Sequence, residues 1–97
     1  MQDKIQTIAD HYGLQCQLEK AGEELAELYE VYSEYMVKLN QYDEDISLEP
    51  LIDELADVKI MIAQMEYLLE CKEEVADRVN FKLDRQLDRM KVEVVQE

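Results

Sequence analysis

Residues 14–39 read LQCQLEKAGEELAELYEVYSEYMVKL, and their periodicity decides the fold. Leu14, Leu18, Ala21, Leu25, Leu28, Tyr32, Tyr35 and Leu39 recur at alternating steps of four and three, the spacing of a helix-bundle seam. Upstream, Ile5, Ile8, Ala9 and Tyr12 mark a shorter helix over 1–12, and Gly13 sits where a left-handed stop is wanted. Downstream, the pattern dissolves into polar and acidic residues over 40–46, and Ser47 with Pro50 starts a new helix. That helix repeats the seam with Leu51, Leu55, Val58, Ile62, Met65 and Leu69. After Cys71 a fourth run follows, with Val75, Val79, Leu83, Leu87, Met90 and Val94 expected to face inward. Short connections between long helices favour antiparallel neighbours. The expected fold is therefore all-α, an antiparallel bundle of about four helices forming a single domain over residues 1–97.

Composition agrees. The chain has 97 residues, with only two glycines and one proline to make the tight turns of a sandwich or barrel. At 47% hydrophobic and 35% charged it has the balance of amphipathic helices rather than of a disordered acidic tail. So small a chain buries a limited core, and pairing into a homodimer or homotetramer is the expected supplement. No apolar stretch approaches membrane length, and no basic-then-apolar start precedes a small-residue cleavage site. Cys16 and Cys71 form no CxxC pair and read as ordinary buried thiols, which fits a cytoplasmic protein. The formal charge of −14 argues against nucleic-acid and anionic-membrane partners and fits a protein that collects cations.

Two helices carry the same acidic signature. Glu23-Glu24-Leu25-Ala26-Glu27-Leu28 and Asp53-Glu54-Leu55-Ala56-Asp57-Val58 align position by position. Each places two acids at i and i+3, neighbours on one side of a helix and on the flank of the seam. That flank runs Gln17, Lys20, Glu24, Glu27 and Val31 on one helix, and Glu54, Asp57, Met61 and Gln64 on the other. Antiparallel packing would bring four carboxylates to one level. Two like charges about 4 Å apart cost about 4 kcal/mol at an effective dielectric of about 20. Such a cluster either retains protons or takes a multivalent cation, and all-oxygen ligands select hard ions, chiefly Mg²⁺ or Mn²⁺. Mg²⁺ usually works with a substrate phosphate, so phosphate chemistry follows. The alternative is a solvated face, since single ExxE spacings are commonplace among 24 acidic residues.

Glu23-Glu24-x-x-Glu27 followed by Glu54-x-x-Asp57 resembles the EExxE…ExxD motif of MazG-type nucleotide pyrophosphohydrolases, within the all-α NTP pyrophosphatase superfamily. His11-Tyr12-Gly13, Lys20-Ala21 and the late Lys82-Leu-Asp-Arg85-Gln are similar to short MazG-like proteins, so the resemblance spans about His11 to Met90. It implies hydrolysis of a nucleoside triphosphate between the α and β phosphates, to a monophosphate and pyrophosphate. It also implies Glu24, Glu27, Glu54 and Asp57 as Mg²⁺ ligands, with Glu23 orienting or deprotonating the attacking water. A triphosphate needs cations as well. Arg78, Lys82, Arg85 and Arg89 form a basic stripe on the last helix; Lys82 and Arg85 are the expected phosphate contacts and Asn80 an added hydrogen bond. Arg78 and Arg89 are expected to pair with neighbouring acids. Lys20, one turn before Glu24, either touches phosphate or softens the acidic repulsion, and Gln17 is a candidate for a base edge. The single histidine, His11, excludes a Glu-x-x-His di-iron bundle. Tyr29, Tyr32 and Tyr35 are expected in the core or at an interface between copies. Rival readings are a non-catalytic helical interaction module and a nucleotide or alarmone binder without turnover.

Overall fold

A computed structural model describes residues 2–96, with side chains over 4–93. The order is α1 (Gln2–Tyr12), α2 (Leu14–Asn40), α3 (Glu49–Leu68) and α4 (Lys72–Gln96), with no strand among the described residues. The all-α expectation holds, and the boundaries fall where the local chemistry puts them. Gly13 has φ of +86°, a conformation costly for any residue with a Cβ, and its N–H donates to the Ala9 carbonyl at 2.8 Å. The chain can thus stop α1 and begin α2 within one residue. At the end of α2, Tyr42 takes φ of +55° and Asp43 N–H returns to the Lys38 carbonyl, so the last carbonyls are satisfied. Asp43 and Ser47 then hold the connecting loop by accepting from the Asp45 and Glu49 N–H groups, and Pro50 occupies the first turn of α3. Glu70, with φ of +54°, closes α3 in the same way, with Cys71 N–H donating to the Glu66 carbonyl.

Helices α2 and α3 form the principal packed pair, and α1 lies against both. Ile5 and Ala9 anchor α1, while the Tyr67 hydroxyl donates to the Asp10 carboxylate at 2.9 Å and ties α1 to the C-terminal half of α3. No described helix is long and apolar enough to cross a membrane.

Packing departs from the expected seam. The buried strip of α2 is Gln17, Ala21 and Glu24, and that of α3 is Val58, Met61 and Gln64. The contact runs along the edge where seam and flank meet: Ala21 and Val58 of the seam are buried beside Gln17, Glu24, Met61 and Gln64 of the flank, and Leu18, Leu25, Tyr32, Leu55, Ile62 and Leu69 of the seam are exposed. The reason is geometric: two helices meet along one narrow strip each, so a broad apolar stripe on both can bury only one edge. Ile8, Tyr12, Leu14, Leu39 and Tyr29 are likewise exposed, and Tyr35 is half-buried. Cys16 is exposed rather than buried, because it faces away from the α2–α3 contact; Cys71 is half-buried.

The fourth helix corrects a further expectation. Among the described helices α4 touches only α3, and Val75, Val79, Leu83, Leu87 and Met90 are exposed instead of facing inward. The side chain of Val94 lies outside the described residues. With only the turn at 69–71 joining them, the start of α4 meets α3 and the rest projects, giving extents of 52 × 37 × 21 Å.

One polar contact sits in the middle of the packed pair. Gln64 is 2% exposed, and its side-chain oxygen accepts a hydrogen bond from the buried Gln17 amide. Truncating one partner strands the other's amide, at a cost of about 1–3 kcal/mol. Gln64→Ala is thus expected to lower the denaturation midpoint more than the double change Gln17→Leu with Gln64→Leu, which removes both polar groups and keeps the volume. A urea titration of the three proteins reads this order, and equal losses would show that the amide pair is not the relevant contact.

Candidate metal centre

Gln17 opposite Gln64 fixes an antiparallel register that carries Glu27 to Glu54 and sets Asp57 across from Glu24. The acids of the two matched motifs meet as a consequence. Carboxylate oxygens of Glu24, Glu27 and Glu54 lie within 4.8 Å of one another, with Glu24 buried, Glu54 half-buried and Glu27 exposed. The cluster therefore has a floor in the helix contact and a mouth at the surface. Asp57 lies outside this group of three, although its charge acts on both Glu27 and Glu54. Its side chain is one methylene shorter than that of a glutamate.

Lys20 is the local cation. Its Nζ is 3.1 Å from Glu24 Oε1 and 3.8 Å from Glu23 Oε2, so it softens the acidic repulsion one turn before the cluster. The carboxylate beside it also raises the Lys20 pKa, through a hydrogen bond and charge attraction from Glu24. One lysine does not satisfy the site. Glu24 Oε2 and Glu54 Oε2 are buried and lack any hydrogen-bond partner. A buried carboxylate oxygen without a donor is costly, and two converging from different helices lack the positive charge that would offset them. Opposite oxygens around Mg²⁺ stand about 4.2 Å apart at bonds of about 2.0–2.1 Å, so carboxylates within 4.8 Å of one another would draw in to share such an ion. The residues present thus fit a hard divalent cation: the donors are all oxygen, they converge, and two of them are otherwise orphaned.

The remaining candidates fall into two groups. Glu23 is exposed beside Lys20 at the rim. Gln17 lies buried in the helix contact with one amide N–H donated to Gln64, which places it in the packing rather than at a base edge. Asn80, Lys82 and Arg85 lie on α4, which does not meet α2, so one copy does not bring them to the glutamates. Arg85 instead stands over the Phe81 ring at 5.9 Å. Lys91, near the end of α4, stands 4.0 Å from Asp88. The Gln17–Gln64 pair was legible in the sequence only as two residues on the acidic flank. That flank could be recognised as the packed strip only from the apolar residues returning in it, Val31 and Met61.

Mutual repulsion is visible in the protonation equilibria. The Glu24 charge is the main cause that raises the Glu27 pKa, and desolvation followed by the Glu27 charge raises that of Glu54. A carboxyl whose folded pKa is raised binds a proton more tightly in the native state. Its contribution to stability is present below its ordinary value of 4.5 and lost as pH rises through the folded value. Without divalent ions, Glu27→Gln and Glu54→Gln are thus expected to melt increasingly above the native protein as pH rises from 4 to 7. A thermal melt series with chelator measures this, and a gap that does not widen with pH would refute the repulsion.

No family model, curated protein or solved structure matches this chain.

Proposed function

We propose that this chain is a Mg²⁺-dependent, cytoplasmic nucleoside triphosphate pyrophosphohydrolase that takes NTP or dNTP and water to the monophosphate and pyrophosphate. Nucleotide-pool cleansing is the role that this activity would serve. The observation that carries the reading is the meeting of Glu24, Glu27 and Glu54, two of them with orphaned buried oxygens, from two motifs that match position by position. The same motifs carry the resemblance to MazG-type enzymes.

In this reading Glu24, Glu27 and Glu54 would hold Mg²⁺, and Asp57 would complete the set from the adjoining turn. The bound ion would neutralise charge on the phosphoryl oxygens and lower the pKa of a coordinated water. The chain's own residues have distinct parts. Glu24 is fixed by Lys20 and by burial, which orders the floor of the site. Glu23 stands at the rim with a solvent-exposed carboxylate, suited to orient or accept a proton from the attacking water. Lys20 supplies a positive charge next to the cluster, where a triphosphate oxygen would arrive. The phosphate contacts expected of Lys82 and Arg85, with Asn80 as an added donor, need α4 brought to the cluster, which one copy does not do.

Release of pyrophosphate from a panel of NTPs and dNTPs with Mg²⁺ tests the activity. Glu54→Gln and Glu27→Ala are expected to lower turnover by about a hundredfold or more, because each removes a ligand. Mg²⁺ is also expected to raise the melting midpoint of the native protein and to leave Glu54→Gln nearly unmoved. Turnover retained in both variants would overturn the ligand assignment, and a panel with no product would overturn the activity.

A further inference from the structure

We infer that Lys20 sets the ion preference of the proposed metal centre: it occupies one oxygen of Glu24, leaves that carboxylate a single oxygen for a cation, and so favours Mg²⁺ over Ca²⁺. This role presupposes that Glu24, Glu27 and Glu54 take a divalent ion, and it adds how the site chooses among such ions. The two oxygens of Glu24 have unlike surroundings. Oε1 lies 3.1 Å from the Lys20 ammonium, whereas Oε2 is buried and has no hydrogen-bond partner. Glu24 is only 7% exposed, on the buried strip of α2 with Gln17 and Ala21. Burial on one side and the ammonium on the other hold the carboxylate in place, and Oε2 is the oxygen left for an ion.

The restraint acts on Glu24 alone of the three. Lys20 stands four residues before it on the same side of α2, so helix geometry sets the pairing whatever else α2 meets. The second acidic neighbour of Lys20, Glu23, is 3.8 Å away and exposed. An ammonium has three donors, so Lys20 keeps its hold on Glu24 while the others remain at the rim. Among the described residues no cation forms an ion pair with Glu27 or Glu54. Their carboxylates are therefore not limited in the same way.

Denticity separates the two common hard cations. Mg²⁺ demands near-octahedral geometry at about 2.0–2.1 Å and keeps several waters, so one oxygen from each carboxylate suits it. Ca²⁺ takes about six to eight oxygens at about 2.3–2.6 Å and commonly draws both oxygens of a carboxylate to fill its shell. On Glu24 the second oxygen is already taken. An ion seated on both oxygens would also stand nearer the Lys20 ammonium, where positive charges repel. A partner of a ligand thus decides which ion the ligand suits, the usual work of a group that touches a metal's ligand rather than the metal.

Calorimetric titration of the full chain with MgCl₂ and with CaCl₂, without nucleotide, reads the preference as the ratio of two Kd values. The native protein is expected to bind Mg²⁺ more tightly than Ca²⁺. Lys20→Met keeps the apolar stem and removes the donor and the charge, and the side chain is 51% exposed, so the fold is retained. Losing a positive charge strengthens the binding of both ions, which is why the ratio is the measure. It is expected to move toward Ca²⁺ by about tenfold or more. Lys4→Met, a loss of the same charge on α1, is expected to leave the ratio unchanged. Equal gains for both ions in Lys20→Met would reduce Lys20 to a mere charge and overturn the inference. Tighter Ca²⁺ than Mg²⁺ binding by the native protein overturns it too, while leaving a divalent-ion centre standing. A native protein that binds neither ion overturns that centre and the role of Lys20 together.

Discussion

Carboxylates forced together at a helix contact govern this molecule. Glu24 and Glu54 are drawn into the α2–α3 interface by the same packing that buries Ala21, Val58 and Met61, and Glu27 closes over them. Apolar burial supplies the attraction and the acids oppose it, so the pair of helices carries a built-in electrostatic debt. Lys20 offsets part of it at Glu24, while no donor among the described residues meets the buried second oxygens of Glu24 and Glu54. A hard cation is the species whose charge and coordination match what is missing.

This tension also explains why the motif is duplicated. One helix presents acids only to solvent, where repulsion is weak and a cation is held loosely. Two helices in antiparallel register present them to each other across a partly dry gap, where charge interacts more strongly. The matched spacing of 23–28 and 53–58 is what lets a helical hairpin align them, and at Tyr42 and Glu70 the chain turns out of each helix with its last carbonyls paired.

Helix number, helix limits and the acidic flank were legible from spacing, because Gly13, Ser47 and Pro50 act within a few residues of themselves. Convergence of Glu24, Glu27 and Glu54 was legible from the matched motifs. Which edge of each apolar stripe packs was not. Leu25 and Ala21 sit on the same broad stripe, and choosing between them depends on how many helices share the core, a property of tertiary contact rather than of period. The same ambiguity misplaced α4: a repeat of Val79, Leu83 and Leu87 states that a face will be covered, without naming which surface covers it. The Gln17–Gln64 bond was hidden for a related reason, since glutamine on a polar flank reads as solvated until a partner on another helix is known.

That buried amide pair has a consequence for the hairpin as a whole. It lies toward the open end, away from the loop at 41–48, and it accepts only one alignment of donor with acceptor. Slippage of one helix past the other by a single turn, about 5.4 Å, would leave both amides stranded. The two glutamines thus work as a vernier, setting the offset of the rods from the far side. Chain length in the connecting bend is consequently free to vary without moving the carboxylates relative to one another.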